Sequence, residues 1–282
     1  MAVWLVEIAR DDSNGLGQRL AHGVSGEWEE VRGAVVGYRR RIDGERRNEE
    51  ARALAGVLAR YVVDEQLSPW VLAVAERQHA YLSATEQGSV AARALGRLVA
   101  TPDALEHWAD DVRGRLVAWL NEHDQLTMDG VAPFLLRPLG DAVREAVDWA
   151  ADRLMMEHEH REFIALLKGF LDEQSPHVAE VHVVPGPSGY RTEDEGGSVV
   201  GERVRAEMGL AAGDAEGDAL ISVLLTLAPR RVVLHRGVEH HVGGREWEIV
   251  TAVFGKRADT CRGCSRCERE LMGQVDAGPP AR

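Results

Sequence analysis

Thr101-Pro102-Asp103-Ala104-Leu105-Glu106-His107-Trp108-Ala109-Asp110-Asp111-Val112-Arg113-Gly114-Arg115-Leu116-Val117-Ala118-Trp119 decides the reading of this chain. Thr101-Pro102-Asp103 is a helix-capping sequence, and Leu105, Trp108, Val112, Leu116 and Trp119 recur at helical spacing as one apolar stripe on an otherwise charged helix. Such a stripe is expected to face a core, so the middle of the chain reads as a helical bundle.

The same period extends in both directions. Upstream, Ala51, Leu54, Leu58, Tyr61 and Val62 share one helical face, and Ser68-Pro69 starts a further helix carrying Val71, Leu72 and Val74. Downstream, after a break at residues 127–133, the spacing resumes through Leu139, Val143, Val147, Ala150 and Leu154. It continues through Phe163, Leu166, Leu167 and Phe170 until Ser175-Pro176 ends it. The bundle is therefore placed at residues 46–176.

Residues 1–45 read as a small β-α-β-like cap, with strands at 2–9 and 31–38 and a short helix at 16–21. Residues 177–272 read as a C-terminal α/β unit. Its expected parts are a strand at 178–184, an acidic loop at 186–197, an apolar helix at 218–227 with Asp218 near its start, and buried strands at 231–235 and 247–254. The Gly- and Pro-rich residues 273–282 are expected to form a disordered tail. The fold class is α+β: a central helical bundle, a small N-terminal β-containing cap, and a C-terminal α/β unit ending in a cysteine cluster.

The 282 residues are 45% hydrophobic and 28% charged, the balance of a globular chain. A net charge of -13 argues against general nucleic-acid binding, because a phosphate backbone would be repelled by most of this surface. Residues 1–9 lack the basic leader and small-residue cleavage pattern of an export signal. The longest apolar run, 219–229, is about half of what a bilayer requires, so no membrane span is expected. No P-loop, dinucleotide fingerprint or Ser/His/Asp arrangement is recognisable, and no nucleotide cofactor is expected.

All 3 cysteines fall in one run, Cys261-Arg262-Gly263-Cys264-Ser265-Arg266-Cys267. Thiols at this spacing, with Gly263 to turn the backbone, can converge on one soft metal ion. Three sulfurs leave a tetrahedral zinc one ligand short. His235, at the end of its strand, is the preferred fourth ligand, with His182, His240, His241 and Asp259 in reserve. An iron–sulfur cluster is the alternative, although the further cysteine of a ferredoxin-type run is absent. An odd, clustered set of thiols fits a reducing, cytoplasmic compartment.

The same run supports two other readings. Lys256, Arg257, Arg262 and Arg266 would favour thiolates, as in a thiol-redox or metal-dependent enzyme. With Arg269 they make a locally basic patch, five basic residues against Asp259 and Glu268, suited to a nucleic-acid or nucleotide contact. Elsewhere, Glu76 with His79 and Glu157 with His160 have the Glu-x-x-His spacing of di-iron bundles, with Glu106 and Glu145 available as further carboxylates. Arg230 and Arg231 with His235 could line an anion pocket.

Four stretches carry a resemblance to a known family. They are Leu126-Thr127-Met128-Asp129-Gly130-Val131-Ala132-Pro133-Phe134, Arg161-Glu162-Phe163-Ile164-Ala165-Leu166-Leu167-Lys168, the apolar stretch from Asp218 through Leu227 to Pro229, and Val253-Phe254-Gly255 leading to the cysteines. Together they resemble the YtxC-like family of sporulation proteins, whose pattern closes on an apolar helix, a proline, a strand ending in histidine, a second strand and a cysteine-rich finish. The resemblance places His235 at the histidine position and Cys261, Cys264 and Cys267 at the cysteines. It implies a sporulation-associated protein of uncharacterised activity. Beside the resemblance, a non-enzymatic role with an unidentified protein partner is expected.

Overall fold

The computed structural model describes residues 2–8, 13–24, 29–32, 36–42, 44–128, 135–186, 189–207, 209, 216–235 and 245–267. The fold is α+β, in two compact units, residues 1–156 and 157–282. Each unit has its own apolar core.

In the first unit, β1 (Ala2–Ile8), α1 (Ser13–Gly23), β2 (Glu29–Arg32) and β3 (Val36–Ile42) precede the helices. The region expected as one strand at 31–38 is thus two strands. β4 (Gln125–Thr127) completes a sheet of order β2-β3-β1-β4. β1 runs antiparallel to β3 and parallel to β4. A strand this short carries no periodic signal, which is why residues 125–127 read as the approach to a break. Trp4 and Val6 alternate into the core from β1.

The helices follow. α2 (Arg47–Tyr61) passes through a π-helical turn at Val62–Gln66 into α3 (Leu67–Gln78), so Pro69 lies in the first turn of α3, where its missing N–H costs little. α4 (Ala84–Leu98) was not legible from periodicity alone, and α5 (Ala104–Glu122) is the helix of the opening stretch. The buried ridge of α5 is Ala109, Val112, Leu116 and Leu120, while Leu105 and Trp119 are exposed. Trp119 instead stacks on His123 at 3.7 Å and donates its indole N–H to the Gln125 carbonyl at 3.1 Å.

α6 (Arg137–Glu173) is one continuous helix of 37 residues. Leu139, Val143, Val147, Ala150 and Leu154 are buried in the first core. In the second unit the buried ridge of α6 is Ile164 and Leu171, with Leu167 packed against the core, whereas Phe163, Leu166 and Phe170 are exposed. Only Leu167 of the four residues expected on that face takes part in the packing.

The second unit continues with β5 (Glu180–Gly186), β6 (Gly189–Asp194), α7 (Gly201–Glu207), α8 (Glu216–Leu227), β7 (Arg231–Leu234), α9 (Arg245–Phe254) and β8 (Ala258–Thr260). The sheet order is β6-β5-β7-β8, with β5 and β6 antiparallel and β5, β7 and β8 mutually parallel. Two expectations are corrected here. The acidic loop at 186–197 contains β6. Residues 247–254 form a helix, because Trp247, Val250 and Phe254 are spaced for one buried face and Glu246 and Glu248 suit a helix N-terminus. β8, and not that segment, delivers the chain to Cys261. The expected tail at 273–282 lies outside the described residues.

Candidate metal centre

Strand alternation divides the second sheet into two chemically different faces. Val181 and Val183 of β5 and Val232 and Leu234 of β7 enter the apolar core. The register pairs His182 with Glu193 and Val233, and Val233 with Asp259. Glu180, His182, Glu193, Arg231, His235, Asp259 and Cys261 therefore share the opposite face. His235 and Cys261 are the first residues past β7 and β8. Their N–H groups continue the ladder, His235 to the Val183 carbonyl at 2.9 Å and Cys261 to the Leu234 carbonyl at 2.8 Å. The parallel register thus puts an imidazole and a thiol side by side at the carboxyl edge of the sheet.

The chain then turns back over this edge. Gly263 has φ +130°, a conformation L side chains rarely adopt, and its N–H lies 3.4 Å from the Cys261 sulfur. Cys264 and Cys267 are thereby brought to the same point. His235 Nδ1 lies 3.4 Å from both the Cys264 and Cys267 Sγ atoms, and Cys267 Sγ lies 4.0 Å from Cys264 Sγ and 3.9 Å from Cys261 Sγ. All four candidate ligand atoms fall within 4.8 Å of one another. Around a tetrahedral zinc with Zn–S near 2.3 Å and Zn–N near 2.0 Å, the S···S and S···N separations would be about 3.8 Å and about 3.5 Å. The donor set could hold one metal ion.

The electrostatics suit ligation. Burial, followed by the charges of His182 and Arg266, depresses His235 to about 4, so the ring is neutral at pH 7 and carries a lone pair. His182 is also lowered, first by burial and then by Arg266. Burial pushes the Cys261 thiol up. Burial works against the Cys264 thiolate too, but the N–H groups of Cys267 and Arg266 and the neighbouring thiols outweigh it and lower that pKa.

The other residues singled out from the sequence lie apart from this group. His182 contacts the far nitrogen of His235, Nδ1 to Nε2 at 2.8 Å, and Asp259 accepts from Arg231 Nε at 2.8 Å. His240 and His241 lie outside the described residues. Arg231 is held between Glu180 and Asp259, which removes it from an anion pocket. Arg266 binds the Asp194 and Glu195 carbonyls at 3.2 and 2.8 Å and faces Glu193, tying the cysteine turn to the end of β6. Arg257 pairs with Asp172 at 3.5 Å. Of the proposed di-iron residues, Glu106 pairs with Arg60, Glu145 with Arg97 at 3.5 Å, and His79 with Asp148 at 3.2 Å. Among the described residues only His235 and the three cysteines form a group with metal-ligand proximity.

Sequence reasoning passed over Glu193, a buried carboxylate that anchors Arg266. The alternation Arg191-Thr192-Glu193 was its only signal, and it lay in a stretch read as loop.

The model of the YtxC-like family matches residues 52–259, a span that contains His182 and His235 and ends just before Cys261. No curated protein and no solved structure matches the chain.

Proposed function

The chain belongs to the YtxC-like family, and from that premise we propose that it is a non-enzymatic, cytoplasmic, sporulation-associated protein in which His235, Cys261, Cys264 and Cys267 hold one zinc ion. The observation that carries the metal reading is the convergence of the four ligand atoms within 4.8 Å. The role is structural: four protein ligands leave a tetrahedral ion no open position for substrate. Bound metal would pin residues 261–267 to the ends of β7 and β8, so its binding energy would appear as stability of that segment. We also propose that the ordered segment presents a surface to a protein partner. The functional divisions we retain are 1–45, 46–176, 177–272 and 273–282.

Zinc is favoured over an iron–sulfur cluster because sulfurs 3.9 to 4.0 Å apart suit ligands of a single ion, while a multi-iron cluster holds its thiolates farther apart. The thiol-enzyme alternative loses part of its basis, since Arg257 and Arg266 are committed to carboxylates and carbonyls. The same pairings weaken the nucleic-acid alternative.

Elemental analysis of freshly purified protein tests the proposal. One equivalent of zinc is expected in the wild type, and none in the Cys261, Cys264, Cys267→Ser triple variant. A brown protein carrying iron and sulfide would replace zinc with a cluster, and metal-free protein that takes up no zinc on titration would end the reading.

A further inference from the structure

The polar face of the second sheet carries a line of hydrogen bonds behind the candidate metal centre. His235 turns Nδ1 toward the Cys264 and Cys267 sulfurs and Nε2 toward His182 Nδ1 at 2.8 Å. His182 in turn places Nε2 2.9 Å from Glu180 Oε1. The other oxygen, Glu180 Oε2, accepts from Arg231 at 3.0 Å, and Arg231 also reaches Asp259 at 2.8 Å. Five residues on or directly after three parallel strands are thus joined in one line, with Glu180 accepting from both sides.

Donor and acceptor roles along this line follow from its end. A carboxylate accepts only, so Glu180 requires an N–H at His182 Nε2. A His235 that ligates through Nδ1 keeps its one ring proton on Nε2, so His182 Nδ1, 2.8 Å away, is the acceptor, the same tautomer that the Glu180 contact requires. The ring that would ligate is held in both tautomer and orientation by groups that are not themselves among the four ligands.

We propose that His182, backed by Glu180, is the positioning residue of the metal centre: it fixes His235 as an Nδ1 ligand and thereby sets metal affinity. The inference rests on the metal reading above. It also assigns His182, a reserve ligand in the sequence reading, a place outside the ligand set. Partners of this kind hold a ligating imidazole against rotation and raise its basicity, and their loss weakens metal binding by about tenfold to a hundredfold. His182→Asn keeps an acceptor near the position of Nδ1, while His182→Ala leaves the His235 Nε2–H without its partner.

The test is competition of the full chain against a chromophoric chelator for zinc, with cobalt(II) spectra as a report on the ligand set. His182→Ala is expected to bind zinc about tenfold to a hundredfold more weakly than the wild type, and His182→Asn to recover most of the loss. In both variants the cobalt band positions should match the wild type, because the four ligands are unchanged, whereas His235→Ala should shift them. In zinc-loaded protein the His235 Nε2–H should give a solvent-protected NMR signal in the wild type and His182→Asn, and lose that protection in His182→Ala. Wild-type affinity in His182→Ala would overturn the inference and leave the metal reading standing. Cobalt bands altered by His182→Ala would overturn it by making His182 a ligand, and a wild type that binds neither ion would remove the metal reading and this inference with it.

Discussion

Gly263 is the residue on which convergence of the cysteines depends. At φ +130° a Cβ is strained whatever space surrounds it, so Gly263→Ala is expected to destabilise the turn by about 1–3 kcal/mol. Because the turn matters only where Cys264 and Cys267 must reach His235, the loss should appear as zinc affinity weakened about tenfold or more by chelator competition, with far-UV circular dichroism unchanged. At this scale the sequence was informative about the thiols and their glycine, since both lie within one local run. It offered four histidines and preferred His235 as the one that ends a strand. Parallel register gives the physical reason, setting His235 level with Cys261 and turning His182 toward its far side.

Three helices illustrate what local signals carry. α4 opens on a capping box, in which the Ser83 hydroxyl accepts from the Glu86 N–H at 3.4 Å and the Glu86 carboxylate accepts from the Ser83 N–H at 2.8 Å. Ser83→Ala is expected to cost about 1 kcal/mol, measured by urea denaturation. That signature was present in Ser83-Ala84-Thr85-Glu86 and marks a helix the apolar period alone did not reveal. α7 begins at Gly201, where a Cβ would overlap the hydroxyl of the buried, β-branched Thr192, which must shift to make room. Gly201→Ala is therefore expected to destabilise the second unit by about 1–3 kcal/mol in the same assay. No local pattern could announce that contact. α9 was misread as a strand because a short apolar run fits either element until a partner face is known.

Over the whole molecule, the two cores share no residue, and the candidate metal centre lies in the second unit, apart from the residues of its core. Calorimetry of zinc-loaded protein is expected to show a transition that a chelator lowers, belonging to residues 157–282, and another that it leaves in place. Free zinc at a thousandfold above its Kd would stabilise the binding unit by about 4 kcal/mol. A single transition displaced as a whole would mean that the units unfold together and would remove this prediction. Among the described residues no helix is long and apolar enough to cross a membrane, in keeping with the short apolar runs of the sequence. The sequence by itself determined the α+β class, the helical middle, the family and the clustering of thiols, because helical period, composition and a cysteine turn are expressed within a few neighbouring residues. Only the tertiary structure decided which ridge of each helix is buried, that residues 245–254 are helical, and that His182 stands behind His235 and not beside the sulfurs. Those outcomes depend on register and packing between segments far apart in the chain, where no residue's neighbours in sequence record its neighbours in space.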